Sequence, residues 1–147
     1  MMKKSSPRIY SGFKNRSLVA GLIILILIFD GAIAQNKPWV APSSADNLKN
    51  PVAGNSSALV EAKAMYAANC TPCHGQKGKG DGPAAGGLNP RPADHTSEAV
   101  QNQSDGAIYW KLSEGRMPMP SYRKIFTDDQ RWGLVSYIRT LAKVKKK

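Results

Sequence analysis

The sequence predicts an all-α protein whose helices and loops enclose something other than side chains. Several segments repeat apolar residues at three- and four-residue steps, and none alternates with the two-residue period of a half-buried strand. From Thr71 to Ser104 the only large aliphatic residues are Leu88 and Val100. A stretch so poor in apolar volume cannot close a core by itself.

Residues 1–34 have the pattern of a secretory signal. Lys3, Lys4, Arg8, Lys14 and Arg16 come first without an acidic partner, then the uncharged run "LVAGLIILILIF" (18–29), then the small-x-small ending Ala32, Ile33, Ala34. The alternative is an anchor that is never cut. The twelve uncharged residues would span roughly 18 Å, short of the ~30 Å hydrocarbon core. Lengthening the helix to Ala34 would bury Asp30. Removal after Ala34 and export to the periplasm are therefore expected, with membrane contact only if the signal helix is retained.

Residues 35–56 are rich in Pro, Asn, Ala and Ser and predict a linker or extended arm, with Trp39 able to dock on the domain. In residues 57–142 the pattern becomes that of a folded domain. In "SALVEAKAMYAANC" Leu59, Ala62, Tyr66 and Cys70 share one helix face, with Ser56 or Ser57 as cap. Gly75 to Pro92 holds six glycines and three prolines, too broken for regular structure. In "SDGAIYWKLSEG" Ser104 is the expected cap, Ile108 and Leu112 the inner face, and Gly115 the stop. Thr127 to Gln130 spell a capping box for a closing helix with Leu134, Tyr137, Ile138 and Leu141 in one stripe. Residues 143–147 form a basic tail.

The chain carries a formal net charge of +11. Much of that excess lies in the signal and in Lys143, Lys145, Lys146 and Lys147, so it does not argue for a nucleic-acid partner.

The chemistry concentrates in "NCTPCHGQKGKGDGP", Asn69 to Pro83, which contains both cysteines of the chain. On a helical turn, positions i, i+3 and i+4 face the same way. Cys70 and Cys73 could therefore add to the two vinyl groups of a haem, with His74 placed under the iron. A thioredoxin-like use of C-x-x-C would require βαβ patterns that are missing here. Zinc held by Cys70, Cys73, His74 and His95 would need the adjacent Cys73 and His74 to reach one ion together. The G-x-G-x-x-A at Gly80, Gly82 and Ala85 follows no strand and is broken by Pro83, so it is no nucleotide loop.

The sixth iron position decides between electron transfer and chemistry on a bound molecule. Met65 is tied to the attachment helix and is best assigned to packing. Met117 and Met119 lie in "EGRMPMPSY", where Pro118 and Pro120 stiffen an extended segment that could hold a thioether over the iron. His95 is the competing ligand and would lower the potential.

From about residue 57 to 142 the chain resembles the class I c-type cytochromes, particularly small exported bacterial ones. "CTPCH" matches the attachment motif, "GDGPAA…LNPRPAD" the loop on the histidine side, "MPSY" the Met-Pro ligand segment and "RWGLVSYIRTL" the closing helix. The resemblance implies a cytochrome c fold of three to five helices around one covalently bound haem c. It implies Cys70 and Cys73 as attachment points, and His74 and Met119 as axial ligands with Met117 as runner-up. It places Tyr66 against Tyr137 and Leu134, and makes a loop proline carbonyl, from Pro83, Pro90 or Pro92, accept from the other nitrogen of His74. Ala62 stands where the family often has glycine, which implies a wider helix crossing. The expected function is one-electron transfer, as a shuttle or as a subunit of a respiratory or dehydrogenase chain, and not enzymatic turnover. Expected partners are redox proteins, including a membrane-bound oxidase or dehydrogenase. The alternative, peroxide reduction or nitric oxide capture, requires the methionine ligand to be absent or displaceable.

Overall fold

Among residues 38–142, which the computed structural model describes, five α-helices carry the chain and no β-strand forms. The expected signal and basic tail lie outside the described residues. Helix α1 (Ser56–Asn69) begins one residue earlier than its pattern suggests. Its cap is Asn55, whose side-chain oxygen accepts from the Ala58 amide at 3.1 Å. Asparagine serves this position as well as serine does, and Ser56 becomes the first helical residue.

Helix α2 (Thr71–His74) follows directly, and a glycine-rich loop with one 3₁₀ turn at Ala85–Gly87 leads to the short α3 (Glu98–Gln101). Helix α4 (Asp105–Glu114) starts where Ser104 accepts from the Ala107 amide at 3.0 Å and ends at Gly115, with Ile108 and Leu112 buried as expected. Helix α5 (Asp128–Ala142) opens with the predicted capping box. The Thr127 amide donates to Gln130 Oε1 at 3.0 Å, and the Gln130 amide to Thr127 Oγ1 at 3.3 Å.

The core forms where α1 crosses α5. Ala62, Tyr66, Leu134, Val135 and Ile138 are buried there, with Tyr137 and Leu141 at the edge. The Tyr66 and Tyr137 rings meet with centroids 5.0 Å apart. Each large apolar side chain removed from water contributes about 1.5–3 kcal/mol. The crossing is not widened by Ala62. Gly133 on α5 supplies the missing space, since a Cβ there would stand 3.2 Å from the Ala58 carbonyl oxygen and 3.4 Å from Ala62 Cβ.

Residues 39–56, expected as a linker or arm, pack on the domain. A 3₁₀ turn at Ser43–Asn47 buries Ala45 against Gly106 of α4, whose lack of a side chain admits the Ala45 carbonyl. Ser104 donates to Asp46 at 2.5 Å. Asn50 Nδ2 donates to the Trp132 carbonyl (3.3 Å) and to Ser136 Oγ (3.0 Å) on α5. Trp39 lies beside Lys111, whose ammonium is 5.6 Å from the ring centroid.

Candidate functional site

Cys70 is the corner between α1 and α2. Its amide donates back to Tyr66 at 2.9 Å, while its carbonyl accepts from Cys73 (3.2 Å) and His74 (2.8 Å). The three predicted side chains therefore spring from one tight turn. Both thiols are free, and Cys70 is only 6% exposed. Burial, with Cys73 beside it, pushes the Cys70 thiol up to about 12.

A four-residue helix leaves its last carbonyls without helical partners. The glycine-rich loop supplies them: Gly75 donates to Thr71 (2.9 Å), Ala84 to Pro72 (2.9 Å), Gly82 to Cys73 (3.1 Å) and Gly80 to His74 (2.9 Å). At Gly80, φ is +72° and a Cβ would stand 2.4 Å from the Pro92 oxygen, so the returning segment can cross only over a glycine. That crossing brings the Ala93 carbonyl 2.9 Å from His74 Nδ1. A carbonyl only accepts, so Nδ1 carries the proton and Nε2 keeps its lone pair for a metal. The acceptor is thus not Pro83, Pro90 or Pro92. The Pro92 carbonyl is turned against Gly80, and the next residue takes the bond. Burial lowers the His74 pKa, opposed by the Ala93 hydrogen bond.

Beyond α4, Arg116 and Met119 exchange backbone hydrogen bonds of 2.9 and 2.8 Å, closing a turn that separates the two candidate methionines. Met117 stands at the tip, 84% exposed. Met119 packs against the buried cluster that contains Cys70. Tyr122 fixes the segment after the turn, its amide donating to Leu112 (3.0 Å) and its hydroxyl to the Asn69 carbonyl (3.3 Å). Met65, assigned to packing, lies at the margin of the same core.

His95 lies face to face with His74, ring centroids 4.0 Å apart and planes 19° from parallel. Its Nδ1 is 3.0 Å from the Tyr66 hydroxyl. Ligands on opposite faces of one iron are separated by the iron and two metal–nitrogen bonds of about 2 Å each. A stacked pair cannot meet that requirement, so His95 does not oppose His74.

The donors fit a haem better than zinc. No group of three or more His, Cys, Asp or Glu converges to hold a metal ion among the described residues. The chain offers instead a C-x-x-C turn followed by an imidazole whose Nε2 lone pair is available, and Met119 on the core that contains Cys70.

The family model for cytochrome c matches residues 59–142. The chain belongs to the cytochrome c family. This cytochrome therefore carries covalently bound haem c and has a haem-based redox role. Among solved structures it is similar to a chain of the Kuenenia stuttgartiensis reducing HAO-like protein complex Kustc0457/Kustc0458, with a TM-score of 0.57 and 30% identity. The match covers 65% of the cytochrome and 48% of that chain, so the cytochrome spans about half of its length. No curated protein matches it.

Sequence reasoning missed Ala93, the contacts of His95 and the anchoring role of Tyr122. An aromatic three residues after the methionine was the one available signal, for Tyr122.

Proposed function

We propose that this cytochrome is a carrier that passes one electron at a time between redox proteins in an exported compartment. Cys70 and Cys73 would hold one haem c through thioethers, with His74 Nε2 and Met119 sulfur as its protein ligands. The single observation that carries this reading is the 2.9 Å contact from His74 Nδ1 to the Ala93 carbonyl, which leaves the Nε2 lone pair available for iron. When bound, the haem supplies the Fe(III)/Fe(II) couple. The chain's own residues do the rest. The Ala93 carbonyl orients His74 and raises its basicity. Met119 sulfur would supply the second protein ligand, and a histidine–methionine pair raises the potential relative to an all-nitrogen site. Burial at the α1–α5 crossing limits the water that would have to reorganise on electron exchange.

No side chain in this scheme acts as acid, base or nucleophile, so the chain is a carrier and not an enzyme. Residues 1–34 direct export, residues 57–142 are the haem domain with the preceding segment 39–56 packed against it, and 143–147 add a basic tail. A second reading makes the cytochrome a subunit of a larger oxidoreductase. It is favoured by the similar chain, which belongs to a complex.

A spectrum of the exported protein tests both the ligands and the role. The expected result is a covalent haem whose oxidised form shows the far-red charge-transfer band of a methionine–iron bond, and whose reduced form does not take up carbon monoxide. A spectrum without that band, together with ready carbon monoxide binding, would replace electron carriage by peroxide or nitric oxide chemistry. Co-purification with other haem proteins would select the subunit reading.

A further inference from the structure

We propose that His95 is a positioning residue for the axial imidazole: its stacked ring fixes the plane that His74 presents to the haem and shields one face of that ring from water. This rests on His74 being the proximal ligand.

The stack is close, 4.0 Å between centroids and 19° from parallel, and every part of His95 is held. Its amide donates to the Gly78 carbonyl at 2.6 Å, and its carbonyl accepts from Gln101 Nε2 at 2.6 Å. Its ring nitrogen pairs with the Tyr66 hydroxyl at 3.0 Å, and Tyr66 is itself buried in the α1–α5 core. Room for the ring comes from Gly78, where φ is +72° and a Cβ would stand 3.2 Å from His95 Cβ and 2.7 Å from Leu141 Cδ1. The loop, α1 and the end of α3 thus converge to immobilise one imidazole against another.

Two restraints then act on His74 from different directions. The Ala93 carbonyl fixes where Nδ1 points, but a single hydrogen bond leaves the ring free to rock about that axis. A parallel ring on its face removes the rocking. Any apolar side chain would fill the space, but only a planar ring can stack, and histidine adds the bond to Tyr66 that fixes the stacking ring itself. The plane of an axial imidazole governs how unpaired spin spreads over an oxidised haem, and solvent exclusion around a ligand tunes its potential.

The test uses the full-length, haem-loaded protein, ¹⁵N-labelled at histidine, with paramagnetic NMR and a reduction potential. Strongly shifted ring signals are expected from His74. If they come from His95, the ligand assignment itself fails. With His74 confirmed, His95→Ala should alter the pattern of haem-methyl shifts and lower the potential by admitting water. His95→Phe keeps a stacked ring and should stay near the parent pattern. Tyr66→Phe, which cuts the hydrogen bond and keeps both rings, should move the pattern in the direction of His95→Ala by less. If His95→Ala does not fold, His95→Leu, which fills volume without a ring, is read in its place. A ringless variant that loses thermal stability but keeps the parent methyl pattern and potential would reduce His95 to core filling and overturn the inference.

Discussion

Met117 and Met119 carry the same side chain, and each precedes a proline, yet they face opposite ways. The cause is the pair of backbone hydrogen bonds between Arg116 and Met119, which puts Met117 at the tip of a turn and Met119 at its base. Residue chemistry alone could not rank them. Only the likeness of "MPSY" to a ligand segment favoured Met119, because both methionines satisfy the same local rule. The turn gives that preference a mechanical reason and makes it testable. Met119→Ala should abolish the far-red band of the oxidised protein and open the iron to carbon monoxide. Met117→Ala removes an exposed thioether, so it should leave the spectrum intact and change stability by no more than about 0.5 kcal/mol. Exchange of these outcomes would move the ligand to Met117.

At the level of elements, α1 and α5 are close enough for Gly133 to face the backbone of Ala58. Gly133→Ala sets two effects against each other: a gain in helix propensity of up to about 1 kcal/mol and a Cβ crowded against a carbonyl that cannot move cheaply. The result should be near neutral. Gly133→Val adds methyl groups where no space remains and should cost about 1–3 kcal/mol. Thermal or denaturant unfolding of the pair checks this, and a valine variant as stable as the parent would show that the crossing is not tight. The same elements mark what could be read in advance. The Thr127–Gln130 box, the Ser104 cap and the Gly115 stop were legible because each depends on residues within one turn. The Ala93 acceptor and the His74–His95 stack were not, because they depend on where a glycine-rich loop returns after some twenty residues. Residues 39–56 misled for a related reason. Their Pro, Asn and Ser suggested a linker, but Ala45 and Asn50 find partners on α4 and α5 that no local pattern announces.

For the whole molecule, the core encloses two phenol side chains close to the attachment turn, Tyr66 (1% exposed) and Tyr122 (6% exposed). Enclosure fixes how stability responds to alkali. Burial pushes the Tyr122 hydroxyl up to about 12, with the two nearby cysteines adding to the effect, and burial raises the Tyr66 hydroxyl as well. Haem attachment would remove the cysteine contribution, since a thioether carries no charge, but burial is the larger cause and stays. In the unfolded chain a tyrosine loses its proton near pH 10. Between about 10 and 12 the folded protein therefore holds more protons than the unfolded chain, and stability must fall as pH rises through that window. Below pH 10 both states are protonated and Tyr122 contributes no slope. A hydroxyl that ionises near pH 10 when unfolded but only at about 12 when folded loses on the order of 2 kcal/mol of stability by the top of that window. Tyr122→Phe should give up a hydrogen bond to Asn69 worth about 1 kcal/mol at pH 7 and in return lose stability less steeply in alkali, so that its curve approaches the parent's as pH rises. Lysine deprotonation is common to both proteins and drops out of the comparison. Denaturant midpoints of the parent and Tyr122→Phe at pH 7, 9, 10 and 11 decide the matter. Parallel curves over the whole range would mean that the Tyr122 hydroxyl ionises as freely in the fold as in water, and that the interior between the attachment turn and α4 is wet.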